Sequence, residues 1–420
     1  MGLAKMTDFK ENVANATQAM RKLFPQTPLQ RNEHLSNLYN ADIYLKREDL
    51  SPVRSYKIRG AFNAMQKTLK KSDSTNLFVC ASAGNHAQGM AFACRHFGVR
   101  GVIFMPVTTP GQKITKTAAF GGRFIEIRLE GDYFDETLVA AQSYAAQEGA
   151  AFLPPYDSVD VIEGQASIAF EINQQMPKPI DYMIVPIGGG GLSSGLIKYY
   201  STEKNTPEFR LIEPNGARSL YAALKEKRLI SVPNINNFVD GAAVAQIGHN
   251  NFEILKHVPV KNVLGINEDR LCTTMVELLN IEGIVLEPAG ALTIDALKDL
   301  KDEIAGKSVI CITSGGNFDF ERLPDVKERA LRSEGLKKYL ILNLPQRPGA
   351  LKDFLNLLGP EDDIARFEYL KKSARNFGSV LIGIETKSKG NFKLLFDRMD
   401  KAGFKCRDIT DDETLAQFLI

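Results

Sequence analysis

A chain of 420 residues is too long for one ordinary domain and has room for two or three, each with a proper core. Its apolar fraction of 44% and charged fraction of 24% are those of a soluble globular protein, and no apolar run of roughly 18 residues is present to span a bilayer. A net charge of +2, spread along the chain, leaves no electrostatic footprint for nucleic acid, so neither nucleic acid nor membrane is expected as a partner.

The first 21 residues carry mixed charge and no apolar signal core, which makes the cytoplasm the expected location. Five scattered cysteines read as reduced, packed thiols. With no CxxC, no HExxH and no Cys/His cluster, no metal site is expected. Trp is absent and His is scarce, so the chemistry falls on Lys, Ser, Asn, Glu and Gly.

Residues 7–23 have helical spacing, with Phe9, Val13, Ala16, Met20 and Leu23 on one side and Pro25 as the stop. Asp42 to Arg47 alternates as a strand. A Pro-containing loop then gives way near Ser55 to a helix with Lys57 at its start and Ala61, Phe62, Ala64 and Met65 on later turns. A lysine there is either a solvated helix residue or the anchor of a carbonyl cofactor. Leu77 to Ala81 reads as a strand that ends in Ser82, Ala83, Gly84, Asn85 and His86, followed by a helix closed by Gly98. Val99 to Met105 and Phe124 to Arg128 are strands, Gln112 to Phe120 is a helix, and Asp132 to Glu148 is a helix with Phe134, Leu138, Ala141 and Tyr144 on one stripe. Strand and helix in alternation, with short turns, predict parallel α/β units.

The pattern continues through a helix from Val161 to Glu171 and a buried strand from Tyr182 to Pro186, which runs into Gly188, Gly189, Gly190 and Gly191. It weakens between about Ser231 and Val263. It resumes in a helix from Asp269 to Asn280 and a strand from Val309 to Thr313, which ends in Ser314, Gly315, Gly316 and Asn317. After a charged helix from Leu323 to Glu334 the character changes. Strand, helix, strand, strand, helix, strand within about 80 residues predicts a small ferredoxin-like α+β unit. The expected domains are therefore 1–325, with a smaller subdomain at about 55–155, a linker at 326–337, and a docking or ligand-sensing module at 338–420.

Three small-residue turns thus stand at the C-terminal ends of predicted strands, the edge where parallel α/β proteins bind ligands. The glycine run offers consecutive backbone N–H groups ahead of a helix, a natural seat for phosphate. The alternatives are a tight turn without a ligand, and a dinucleotide loop. G-x-G-x-x-G is not met, although Glu213 lies where a ribose-binding acid is expected. A phosphate seat, a candidate lysine and small polar groups above a sheet are what pyridoxal phosphate needs. In that reading Lys57 forms the Schiff base, Asn85 bonds the phenolic oxygen and Ser314 meets the ring nitrogen. A serine at the ring nitrogen leaves the ring largely neutral, which suits β-elimination better than transamination.

Ser55 to Ala61, Ser82 to Gly89, Lys46 to Leu50, Gly188 to Gly191, Glu287 to Ala291 and Ser314 to Asn317 resemble the signatures of pyridoxal-phosphate enzymes of the tryptophan-synthase-β type, specifically threonine dehydratases. Tyr56 stands where that family more commonly has phenylalanine. The tail from Leu342 to Leu351 is similar to the opening of the ACT-like regulatory module of biosynthetic threonine dehydratases, with room for one such unit. The resemblance implies an α/β, two-subdomain fold with a C-terminal ferredoxin-like domain. It implies Lys57 as the lysine that takes the α-proton, Asn85, Ser314 and Gly188 to Gly191 as cofactor residues, and Ser82, Ala83, Gly84, His86 and Glu287 as substrate-binding candidates. The activity implied is conversion of L-threonine to 2-oxobutanoate and ammonia, the first step of isoleucine biosynthesis, in a homotetramer that isoleucine inhibits and valine opposes.

L-serine or another β-substituted amino acid is the alternative substrate, and an amino-acid sensor is the non-enzyme alternative. His86 also reads as a local helix-start contact, Glu48 and Asp49 as partners of Lys46 or Arg47, and Glu287 as a helix cap. Glu213 and Ala217 stand where relatives hold a cation, but Ser219 replaces a helpful carboxylate. In the tail, the loop from Asn376 to Ser379 is placed to meet an effector.

Overall fold

The computed structural model describes residues 3–71, 75–176, 178–369 and 377–412. They divide into two compact units, one of Met1–Glu268 with Ile284–Asp319, the other of Asp269–Gly283 with Phe320–Ile420.

In the larger unit the strands in chain order are β1 (Leu29–Arg31), β2 (Asp42–Arg47), β3 (Leu77–Ala81), β4 (Arg100–Met105) and β5 (Ile125–Leu129). They are followed by β6 (Ala151–Phe152), β7 (Tyr182–Pro186), β8 (Glu208–Pro214), β9 (Val263–Ile266) and β10 (Ser308–Thr313). These form two sheets. The first has the order β1-β2-β10-β7-β8-β9 and is parallel apart from β1; the second, β5-β4-β3-β6, is wholly parallel. Strands buried on both faces carry the continuous apolar runs that a parallel sheet demands, as in Met183, Ile184 and Val185.

The parallel connections force a crossover between successive strands, so the turns after β3, β7 and β10 all lie at C-terminal strand ends. The N-terminal helix Leu3–Met20 buries Phe9, Val13, Ala16 and Met20, the face its spacing predicts. The helix Lys57–Lys71 buries Ile58 through Met65. One expected stripe is incomplete: Phe134 opens its helix with the ring 46% exposed, while Ala141 further along is buried.

In the smaller unit β11 (Lys337–Pro345), β12 (Asp363–Tyr369), β13 (Phe377–Glu385) and β14 (Lys405–Asp408) form an antiparallel sheet in the order β12-β13-β11-β14. With the helices Ala350–Leu355 and Gly390–Lys401 this is the ferredoxin-like arrangement expected. Leu340, Leu342 and Leu344 of β11 share its core with Val380, Ile382, Ile384, Phe354 and Leu395. The helix Leu323–Ser333 contributes buried Val326 and Ala330. Glu268–Glu277 is a helix, but it passes into a π turn at Leu278–Glu282 rather than running on to Asn280. Asn376, named as part of an effector loop, lies outside the described residues.

Candidate active site

Lys57 opens its helix directly after an extended segment that is stitched to the end of β10. Tyr56 N–H donates to the Ser314 carbonyl at 3.0 Å, Gly316 N–H donates to the Arg54 carbonyl at 2.9 Å, and Ser55 bridges to Gly315. This brings the lysine beside the Ser314–Asn317 turn, more than 250 residues away in the chain. The helix Asn85–Phe97 packs across Lys57 so closely that a Cβ at Gly89 would lie 3.1 Å from the lysine's own carbonyl group. Close approach of two helix starts is what that glycine permits.

The Lys57 ammonium donates to the Pro155 carbonyl at 2.9 Å and lies 5.4 Å from the Tyr56 ring centre and 5.9 Å from that of Tyr156. Two rings flank it in a half-buried position. Burial pushes its pKa down to about 8, against a smaller opposing pull from Glu287. About a tenth of the amine is therefore uncharged at pH 7, far more than at the ordinary lysine value.

Tyr156 joins the lysine to the glycine turn after β7. A Cβ at Gly189 would fall 2.3 Å from the Tyr156 ring, and one at Gly191 would fall 3.1 Å from its Cβ. Gly190 has φ of +92°, a left-handed conformation that side chains disfavour. The Gly189 carbonyl is held by Asn251 Nδ2 at 2.8 Å. The turn leads into the helix Gly191–Tyr200, whose first N–H groups have no carbonyl of their own helix to meet.

Asn85 begins its helix after Gly84, where a side chain would have open space around it. Its Nδ2 donates to Glu287 Oε1 at 2.7 Å, and its Oδ1 accepts from Asn317 Nδ2 at 2.6 Å. Glu287 precedes Pro288 at the head of the helix Pro288–Asp295 and lies under the Gly315 backbone. Burial, with Asp240 nearby, pushes its pKa up to about 7. Ser314 is buried at the end of β10.

The remaining candidates divide. Ser82 Oγ accepts from Gly84 N–H at 3.2 Å and so shapes the turn, with Ala83 half-buried beside it. His86 Nε2 lies 2.9 Å from the Leu153 carbonyl, and burial with the Lys57 charge presses its pKa down to about 3, so it is a neutral, committed ring. Asp49 is paired with Arg47 at 2.8 Å, and Glu48 with Arg59 rather than with Lys46. Glu213 spends both carboxylate oxygens on the N–H groups of Leu220 and Tyr221, capping the helix Ser219–Glu226. Among the described residues no group of three or more His, Cys, Asp or Glu is placed to hold a metal ion.

Two kinds of residue escape sequence reasoning. Tyr156 and Pro155 follow a strand of two residues, too short to show a period, and only the pair Pro154–Pro155 marks the turn. Lys113 and Lys116 read as solvated helix positions, yet Lys116 donates to Asn317 Oδ1 at 2.5 Å and Lys113 pairs with Asp240 at 2.6 Å.

A family of pyridoxal-phosphate-dependent enzymes matches residues 20–315, and the C-terminal regulatory domain of threonine dehydratase matches residues 328–419. The biosynthetic L-threonine dehydratase of Halalkalibacterium halodurans is 43% identical over 411 residues, 98% of this chain and 99% of that one. This chain belongs to the pyridoxal-phosphate-dependent threonine dehydratases. The Bacillus subtilis biosynthetic L-threonine dehydratase is 44% identical over 98% of this chain and 97% of its own. A solved structure of the processed threonine deaminase isoform 2 from Solanum lycopersicum superimposes with a TM-score of 0.73 and 31% identity. It covers 79% of this chain and 89% of its own.

The cofactor of a threonine dehydratase is pyridoxal phosphate, and the residues present fit it. A desolvated amine can attack an aldehyde, the start of the Gly191–Tyr200 helix offers N–H donors for an anion, and the buried Ser55 Oγ, two residues before Lys57, has no hydrogen-bond partner among the described residues.

Proposed function

We propose that this chain dehydrates and deaminates L-threonine to 2-oxobutanoate and ammonia, with Lys57 as its cofactor-bearing and proton-transferring residue. The observation that carries the reading is the Lys57 amine, held at the Pro155 carbonyl beside the Tyr156 ring that packs on the glycine turn, on a helix stitched to the Ser314–Asn317 turn. The names of the curated relatives supply the substrate.

Pyridoxal phosphate, when bound, supplies an aldehyde for amine attachment and a ring that withdraws electrons from the substrate Cα. The chain's own residues do the rest. Gly188 to Gly191 and the following helix start would hold the phosphate, Asn85 would offer its amide to the phenolic oxygen, and Ser314 would meet the ring nitrogen. Ser82, Ala83 and Gly84, at the head of the Asn85–Phe97 helix, receive the substrate carboxylate, with His86 holding the turn to Leu153 and Glu287 closing the far side. Lys57 Nζ takes the α-proton, the Cα–H electrons form the Cα–Cβ double bond, and the Cβ–O bond breaks as the hydroxyl receives a proton from the Lys57 ammonium and leaves as water. Water returns when the released enamine tautomerises and hydrolyses, so the net products are 2-oxobutanoate and ammonia.

L-serine carries the same leaving group and is the second substrate to test. The smaller unit is read as an effector module that isoleucine occupies to slow turnover and valine occupies to restore it, in a homotetramer. The test is a spectrum of the purified chain with added pyridoxal phosphate, borohydride reduction, and peptide mapping. The reading expects the reduced cofactor on Lys57, 2-oxobutanoate release from threonine, and loss of both in Lys57→Ala. A label on another lysine, or turnover surviving in Lys57→Ala, sinks it. Threonine turnover with isoleucine and valine, beside light scattering for mass, checks the regulation and the assembly.

A further inference from the structure

Asn85 stands in an unbroken chain of side-chain hydrogen bonds with a direction. Lys116 Nζ donates to Asn317 Oδ1 at 2.5 Å; Asn317 Nδ2 donates to Asn85 Oδ1 at 2.6 Å and to the Val53 carbonyl at 2.9 Å; Asn85 Nδ2 donates to Glu287 Oε1 at 2.7 Å. An amide has two ends of similar shape and opposite polarity, so either asparagine can sit in its place turned over. What forbids the turn is the ends of the chain. A lysine ammonium only donates, so it selects Asn317 Oδ1. The Val53 carbonyl only accepts, so it selects Asn317 Nδ2. Asn317 then selects Asn85 Oδ1, which leaves Asn85 Nδ2 for Glu287. Polarity is set from Lys116, half-buried on the helix Gly111–Gly121, and handed on through Asn317 at the end of the β10 turn.

We propose that Lys116 and Asn317 are positioning residues whose donor polarity fixes which end of the Asn85 amide faces the cofactor. This rests on the reading of Asn85 as the partner of the phenolic oxygen. Once Nδ2 is turned to Glu287, its second hydrogen is left for that oxygen, whereas the inverted amide would set a carbonyl oxygen against it. The Asn317 backbone N–H also bonds Glu287, which keeps the acceptor at the far end in place.

The test uses full-length holoenzyme carrying Lys116→Met, Lys116→Arg or Asn317→Asp, with unfolding midpoints checking the fold. Met fills the lysine's space without donating, Arg restores a donor, and Asp puts an acceptor against Asn85 Oδ1 and invites the amide to turn. Readouts are the band ratio of the lysine-bound cofactor spectrum and the dissociation constant from titration of apoprotein with pyridoxal phosphate. The expected result is about a tenfold weaker cofactor affinity and an altered band ratio in Lys116→Met and Asn317→Asp, with Lys116→Arg within about twofold of the parent. Parental spectra and affinities in both Lys116→Met and Asn317→Asp, or failure of Lys116→Arg to rescue, overturn it. If Lys116→Met does not fold, Asn317→Asp decides. A parent protein with no lysine-linked spectrum at all defeats the functional reading instead, before any variant is compared.

Discussion

At the scale of single residues the site is governed by desolvation. Lys57, with its pKa held down to about 8, should capture an aldehyde from solution at a rate set by its uncharged fraction. Stopped-flow mixing of apoprotein with pyridoxal phosphate should show that rate falling about tenfold per pH unit below 8 and levelling off above it. A rate that keeps rising about tenfold per pH unit through pH 9 would exclude a depressed amine. Glu287 has the opposite linkage. Its folded pKa of about 7 exceeds its ordinary 4.5, so between those values the folded state binds more protons than the unfolded one and stability falls as pH rises. Glu287→Gln keeps an acceptor for Asn85 and removes the titration. Its unfolding free energy should therefore gain on the parent by on the order of 2 kcal/mol from pH 5 to pH 8, measured by urea titration of the apoproteins. Lys57, Asn85 and Glu287 stood out as candidates in the sequence because they lie in or beside short turns and helix starts between apolar runs. Lys116 and Asp240 were not, because a charged residue that reaches a distant partner has the same local surroundings as one that faces water.

Among the secondary-structure elements, the start of the Lys57 helix is pinned by a buried ionic cluster. Arg59, two residues beyond Lys57, donates to Glu48 at 2.7 and 2.9 Å and to Glu171 at 2.8 and 2.9 Å, while Lys46 reaches Glu171 at 2.6 Å. These side chains tie β2 and the short turn after it to the helices Lys57–Lys71 and Val159–Gln175. Arg59→Met takes from buried Glu48 the cation it pairs with and leaves Glu171 with Lys46 and Arg21, which should cost about 3–5 kcal/mol in denaturant unfolding. A loss below about 1 kcal/mol would show that the carboxylates find other partners. Strands and helices set off by turn chemistry or a full periodic stripe were legible, as in β7 running into its glycines. Leu29–Arg31, Ala151–Phe152 and the helix His249–Leu255 were missed, since two to seven residues carry less than two periods of any pattern.

Across the whole molecule the division into units does not follow chain order. Asp269–Gly283 belongs to the smaller unit, where Arg329 pairs with Asp269 at 3.0 Å and Cys272 is fully buried. The charged groups around Cys272 are Arg329, Asp269, Asp325 and Arg322, all of that unit. A chain ended after Asp319 should therefore expose Cys272 to rapid alkylation, mapped by mass spectrometry, whereas in the full chain it stays protected for as long as the fold persists. Equal labelling in the two would mean that the segment packs without the tail. The sequence could not show this exchange of segments, because a helix near position 275 has the same amphipathic pattern whichever core receives it.

The polypeptide crosses between the units at Glu268–Asp269, Gly283–Ile284 and Asp319–Phe320. The last two crossings bracket the site's polar chain: Glu287 stands four residues beyond Gly283, and Asn317 two residues before Asp319. The smaller unit is thus no appendage on a single tether, and exchanging it as a C-terminal cassette would leave Asp269–Gly283 behind. Both partners of Asn85 thus lie only a few residues along the chain from points where it passes from one unit to the other.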